Sequence, residues 1–515
     1  MQRPLALLLL LLSFAAAQGG ALARFADAYK RAETPAARAD AIRVLARDGS
    51  AAAVGELFQL WRRLEGEATG LRSAIAEART RVRDLRPRLE DPRKREATLE
   101  QIKKIDGEAA VASDRLAGLE REEGAILEGV RGQGSTEALN WLAEEGLTRA
   151  ESPLLIAVAA RRVAEAGAAG PQPLLVALDR AKRPEVLVPL LEAMRAHAAA
   201  VRPAFPTLLK LLKHREWPVR IAVAHLLARS ASADAIEPLL AALAAEEGES
   251  RAQQEVGRAL AILCGVNLGG DVALWRRWWQ DHAAEVAAGT LELGKGTARG
   301  RGRDAQNRFY GIEQEEKRII YVFDKSGSME VSMQEPRWLK GAAVPAREDE
   351  DSRFDAARRE LLRATKNLRK GSEFAVVLYS DRVEPIHDKL VPATPENHAA
   401  FSLEMGRRGP EGSTNIYEAL DFALRMANVH SEGTRGEQRA DAIILVSDGA
   451  PTNAKGETED PERTLVAVRQ WNAQKRIVIH TIGIGAEHNN TFMRTLAEEN
   501  GGSYHAVMPD GKKAK

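Results

Sequence analysis

Arg318 to Met329 reads RIIYVFDKSGSM, and this stretch decides the fold of the C-terminal part of the chain. Ile319 to Phe323 is an unbroken run of β-branched and aromatic residues. A strand wet on one face would alternate apolar with polar side chains, so the run predicts a parallel strand buried on both faces. The strand stops on Asp324, and Ser326, Gly327 and Ser328 then set small hydroxyls around a glycine. In open α/β sheets ligands bind beyond the carboxyl ends of the strands. An Asp-x-Ser-x-Ser loop at that edge offers one carboxylate and two hydroxyls to a single hard cation, and Mg²⁺ takes oxygen ligands.

Two later stretches extend the pattern. Gly412-Ser413-Thr414-Asn415 precedes a helical pattern of Ile416, Leu420, Ala423 and Leu424, which puts the Thr414 hydroxyl at a loop-to-helix junction. Ile443 to Ser447 is a second buried strand, and it too ends on an acid, Asp448-Gly449. Taken in this order, the three stretches resemble the von Willebrand factor A family, whose metal-ion-dependent adhesion site is built from DxSxS, a threonine and an aspartate. The resemblance covers roughly 318–508 and implies an α/β Rossmann-like domain over 316–508. It further implies Mg²⁺, or Mn²⁺ or Ca²⁺ in its place, at Asp324, Ser326, Ser328, Thr414 and Asp448. In the family the serines and often the threonine touch the metal, while the aspartates commonly act through water, and the resemblance implies those roles here. A shell rich in neutral hydroxyls leaves the ion's charge under-compensated, so it seeks an anionic ligand. A protein partner offering an Asp or Glu would supply one, which is binding without a bond broken.

The rest of this region alternates helix and strand, as a parallel sheet requires. Ser352 caps a helix through Leu368, Phe374 to Tyr379 is a strand, and Val383 to Ile386 is a short strand expected at an antiparallel edge. Thr394 and Asp460 each stand before a proline as helix caps. Ile477 to Ile484 is a central strand, Phe492 to Glu499 a helix and Tyr504 to Val507 the last strand.

Ahead of this region the chain predicts helices. Residues 18–63 carry a helical pattern punctuated at Gly49-Ser50. In 64–134, apolar residues step by sevens, fours and threes on either side of a polar turn, Asp91 to Arg95, which predicts an antiparallel coiled-coil hairpin. In 135–287, Pro173-Leu174-Leu175, Pro206-Thr207-Leu208-Leu209 and Pro238-Leu239-Leu240 recur at intervals of 33 and 32 residues, each opening an amphipathic helix. The arrangement resembles HEAT-type repeats, although their period is longer. Trp275, Trp278 and Trp279 share one side of a helix, either capping the last repeat or forming an aromatic platform. The glycine- and arginine-rich 288–315 reads as a flexible linker, and 509–515 as a loose tail.

Arg3, the apolar core Leu5 to Leu12 and Ala15-Ala16-Ala17 read as a signal peptide over 1–17, so export to the periplasm, cell surface or medium is expected. No later run reaches the length of a membrane helix. At 515 residues and 44% apolar the chain supports several cores, and a net charge of +1 gives no field for nucleic acid. The one cysteine, Cys264, sits on an apolar helical face and reads as a core residue.

The sequence holds no His-Glu-x-x-His, Gly-x-Ser-x-Gly or Cys-x-x-Cys, and metal hydrolases need a base or second metal. The expectation is therefore not an enzyme but an exported, metal-dependent protein-binding (adhesion or assembly) protein. The alternatives are a scaffold whose repeats carry the partner contacts and a metal-dependent hydrolase. The insertion Glu330 to Asp351 ends in four acids, Glu348 to Asp351, which read as a solvated loop or as carboxylates that fill the metal's free position.

Overall fold

The computed structural model describes residues 20–508, apart from 150–151, 167–171, 247–250, 296–307, 315, 335–336, 340–341, 428–438, 454–455 and 487. The expected signal peptide, the loose tail and the arginine-glycine run all fall outside the described residues. The chain forms two compact units, divided between Ala204 and Phe205. Among the described residues no helix is long and apolar enough to cross a membrane.

The first unit is helical. A helix over 20–31 (α1) is followed by α2 (Pro35–Ala46), α3 (Ala51–Leu85) and α4 (Arg95–Arg131), and the last two pair along their length. Ser50 caps α3 with its hydroxyl on Ala53 N, and Gly49 supplies the positive φ of +70° that the turn before it requires. The α3 helix runs without a break through the expected boundary at 63–64. Its apolar stripe, including Leu64, Ile75 and Val82, is buried together with Ile105, Leu116, Leu119 and Ile126 of α4. After these come α5 (Thr136–Trp141), a π-helical turn at Leu142–Gly146, α6 (Leu147–Arg149), α7 (Pro153–Ala166), α8 (Gln172–Arg180) and α9 (Pro184–Met194).

Inside the hairpin, Arg72 Nη2 lies 3.2 Å from Glu120 and 3.6 Å from Glu123, all three side chains being buried. Burial pushes the Glu123 carboxyl from its ordinary 4.5 up to about 8, Arg72 pulls it down, and Glu120 adds to the rise. A carboxyl raised on folding lends stability that is full below its unfolded pKa and is lost as pH climbs through the folded one. Glu123→Gln is therefore expected to melt like wild type near pH 5 and several degrees higher near pH 9, as read by thermal denaturation.

The second unit opens with α10 (Phe205–Leu211), α11 (Trp217–Arg229), α12 (Ile236–Ala245), α13 (Arg251–Cys264) and α14 (Val272–Ala287). Pro206 and Pro238 fall in the first turns of α10 and α12, where their missing N–H leaves no helical bond unmade. Trp275 is fully buried with its Nε1 on Gly269 O at 2.8 Å, Trp278 stacks on His282, and Trp279 donates to Glu237. The three rings thus meet partners on α14, on α12 and in the loop before α14.

A seven-stranded sheet follows, ordered β11-β10-β9-β3-β6-β7, with β8 also on β6. Its strands are β3 (Arg318–Asp324), β6 (Glu373–Tyr379), β7 (Val383–Pro385), β8 (Val391–Pro392), β9 (Ala442–Ser447), β10 (Val478–Ile484) and β11 (Gly501–Val507). The five longer strands run parallel, whereas β7 and β8 pair antiparallel to β6. Two small hairpins stand apart from the sheet: β1 (Arg308–Phe309) with β2 (Ile312–Glu313), and β4 (Arg337–Leu339) with β5 (Ala342–Val344). The first lies within the stretch read as linker; Phe309 is nevertheless fully buried, 5.6 Å from the Tyr321 ring.

Alternate residues of β3 serve two cores. Ile320 and Val322 pack with α17 (Ile416–Met426), α18 (Pro461–Trp471) and α19 (Asn490–Glu499). Ile319, Tyr321 and Phe323 pack with α15 (Arg353–Lys366) and α16 (Pro395–Gly406). Next to β10, β11 takes one extra residue between Ile479 and Thr481, where a Cβ on Gly502 would stand 2.0 Å from Ile479 O. At the amino ends of the strands Arg318 forks onto Asp441 at 2.7 and 3.1 Å. Arg476, just before β10, reaches Glu216 at 2.7 Å and receives Arg251 on its carbonyl.

Candidate metal centre

The chain crosses from one side of β3 to the other between β6 and β9, so the carboxyl end of β3 is the point where strand order reverses. Asp324 stands at that end, fully buried. Its Oδ1 accepts the Ser326 backbone N–H at 2.7 Å, which folds the loop back over the strand. Its Oδ2 accepts the Ser447 hydroxyl at 2.8 Å and faces the Tyr379 hydroxyl at 3.3 Å. Burial, and after it the charge of Asp448, push the Asp324 carboxyl up to about 7, against the pull of Ser326 and Ser447. Burial and the Asp324 charge hold the Tyr379 phenol well above its ordinary value, so it stays a donor.

The other expected site residues lie beside it. Ser326 Oγ is 3.1 Å from Ser328 Oγ, which donates to Asp448 Oδ1 at 2.7 Å. A Cβ built on Gly449 would meet Thr414 Oγ1 at 3.3 Å and Ser328 Oγ at 3.9 Å, so both hydroxyls border the same bare backbone. The structure thus brings together all five side chains named from the sequence.

Backbone bonds hold the three loops in register. Lys325 N donates to Tyr379 O at 2.9 Å, Glu411 N to Lys325 O at 2.6 Å and Gly327 N to Gly412 O at 2.9 Å. Gly412, at φ +76°, passes so close to Asp381 that a Cβ would stand 2.2 Å from its Oδ1. Thr414 exchanges bonds with Thr452, its N–H on Thr452 Oγ1 at 2.7 Å and its carbonyl on Thr452 N at 2.8 Å. Asn415, whose N–H bonds Ser380 O, caps α17 through Glu418 N. Thr414 therefore sits one residue ahead of the cap.

Besides Ser447 and Thr452, three larger side chains escaped the sequence reading. Lys325, the unspecified second residue of the motif, is buried and pairs with Glu384 at 3.2 Å and with Glu411. Tyr379 ends β6 beneath Asp324. Arg353 is fully buried and bonds Asp448 Oδ2 at 2.9 Å. A signal for it exists, because Arg353 falls in register with Ala357, Leu361 and Ala364 on the apolar face of α15.

The insertion after the first loop is pinned at its base by bridges between Val331 and Pro345 and between Ser332 and Ser352. Asp351 is engaged by the Arg359 guanidinium, and Glu350 accepts the Arg347 N–H at 3.1 Å. These two acids are spent on neighbours in their own loop and helix.

The donor set suits a hard ion. Among the described residues no group of three or more His, Cys, Asp or Glu could hold a metal, and this site has two carboxylates with three hydroxyls. Oxygen-only donors of that kind match Mg²⁺, Mn²⁺ or Ca²⁺ and not a soft metal.

Residues 319–514 match the family model described as von Willebrand factor type A domain. Inter-alpha-trypsin inhibitor heavy chain H1 of Mesocricetus auratus is 28% identical over 197 residues, covering 38% of this chain and 19% of that protein. Heavy chain H4 of Homo sapiens is 27% identical over 206 residues, covering 40% and 20%. The chain thus spans about a fifth of the length of the curated relatives it matches. Among solved structures, the von Willebrand factor type A protein from Catenulispora acidiphila aligns at 20% identity over 37% of this chain and 38% of that one, with a TM-score of 0.28. The PilB minor pilin from Streptococcus sanguinis aligns at 17% identity over 37% and 56%, also at 0.28. Residues 319–514 carry a von Willebrand factor type A domain.

Proposed function

We propose that this domain is a metal-dependent protein-binding module in an exported protein. A divalent ion, Mg²⁺ or one of its oxygen-seeking equivalents, is held by Ser326, Ser328 and Thr414 with Asp324 and Asp448, and an Asp or Glu of a partner protein completes its shell. The ion supplies a positive point at the domain surface; the chain supplies a fixed oxygen cradle and loops that cannot drift apart. The observation that carries the reading is the meeting of three hydroxyls and two carboxylates, drawn from three separate loops, at the carboxyl end of β3. The likeness to inter-alpha-trypsin inhibitor heavy chains over about two fifths of the chain supports an interaction role over an enzymatic one. The helices before residue 288 present the domain, and the N-terminal apolar stretch directs export.

The test is partner capture from envelope extract by the full chain, with and without chelator. Bound protein should be lost in EDTA, return with Mg²⁺, and be absent with Asp324→Ala while the circular dichroism spectrum is kept. Capture that survives both treatments would move the contacts to the helical repeats and overturn the metal-dependent reading.

A further inference from the structure

We infer that Arg353 is a built-in counter-cation of the metal centre, which weakens the hold on the ion and sharpens the ion's demand for an anionic partner group. The inference rests on the metal-binding reading above. Arg353 and Asp448 are both fully buried, with Nη1 2.9 Å from Oδ2, while Oδ1 of the same carboxylate accepts the Ser328 hydroxyl. One carboxylate therefore bridges a permanent cation and a hydroxyl of the proposed ligand set.

The guanidinium is fixed in place. Its backbone N–H bonds Val331 O at 2.9 Å, and Ser352 caps the helix on which it stands. It lies flat against Gly485, where a Cβ would fall 2.6 Å from Nη2 and 2.7 Å from Cζ. A guanidinium remains charged throughout the physiological range, and a buried charge persists only with a partner, here Asp448. Asp324 and Asp448 alone would present two negative charges to an ion; with Arg353 these three groups sum to a single negative charge, Lys325 being balanced by Glu384 and Glu411. A divalent ion then keeps an excess positive charge inside a low-dielectric site, where charges a few ångströms apart act strongly on one another. Less attraction for the metal and more for a partner's carboxylate follow from the same arithmetic.

The test is calorimetric titration of Mn²⁺ into wild type, Arg353→Gln and Arg353→Lys, with thermal melts in EDTA and in saturating Mn²⁺. Arg353→Gln should bind Mn²⁺ about tenfold more tightly, since the ion then meets an uncompensated Asp448. Its melting temperature should fall in EDTA and gain several degrees more than wild type on adding Mn²⁺, because the ion replaces the lost charge. Arg353→Lys, which keeps the charge, should bind within a few-fold of wild type. A neutral variant that binds Mn²⁺ no more tightly than wild type, or that stays unfolded in millimolar Mn²⁺, overturns the inference and leaves Arg353 a structural ion pair. Failure of wild type itself to take up Mn²⁺ would overturn the metal-binding reading, and this inference with it.

Discussion

Asp324→Ala is expected to weaken Mn²⁺ binding by at least about 100-fold, the upper end of what losing even an outer-shell partner of a bound ion does. Asp324 is the hinge of the site: Oδ1 sets the Ser326 turn, and Oδ2 gathers Ser447 and Tyr379. Its removal takes away one of two charges and the geometry of the loop together. Stability should move the other way. Burial and Asp448 already disfavour the ionised form of Asp324, so Asp324→Asn, which keeps the shape, should melt at or above wild type in EDTA. Calorimetric titration with a parallel melt separates the two effects; a variant that loses metal only because it has lost its fold would melt lower.

Phe323→Ala should destabilise the domain by roughly 3 to 5 kcal/mol, the usual range for emptying a fully buried aromatic site. The ring is inaccessible and meets Phe354 edge-on at 5.7 Å, joining β3 to α15 one residue before the first site carboxylate. Urea unfolding would read the loss. Metal affinity should fall too, because Asp324 directly follows Phe323 in the chain and the cavity lets its carboxylate move. A loss below about 1 kcal/mol would mean that the second core collapses to fill the gap.

The elements the sequence revealed are those whose burial forces a long pattern. Both β3 and β9 announce themselves as unbroken apolar runs; β3 ends on Asp324 and Asp448 follows β9, both where strand order reverses. The five oxygen donors were legible through the resemblance, which the order of the three stretches carries, since Asp-x-Ser-x-Ser alone recurs by chance.

What escaped lacks such a pattern. The β1–β2 hairpin has two residues per strand and depends on positive φ at Tyr310 and Gly311, which only the folded backbone displays. The extra residue of β11 at Gly502 is a question of register, and one sequence carries no record of its neighbour's phase. Arg353 was visible as a charge on an apolar face, yet its reason lies on Asp448, 95 residues away. Lys325 occupied a position that the motif leaves open, and its partners, Glu384 and Glu411, come from β7 and from the loop before α17.

The sheet is gripped at both ends. Asp324, Ser447 and Tyr379 converge at one rim, while at the other Arg318 clasps Asp441 and Arg476 is tied to Glu216 and Arg251 of the helices. A load applied between these two rims would run lengthwise along β3, β9 and β10. The ladder bonds between those strands then share the load in shear and must give way together, whereas a sheet pulled sideways unzips one bond at a time. The sheet would accordingly resist a pull along its strands better than one across them.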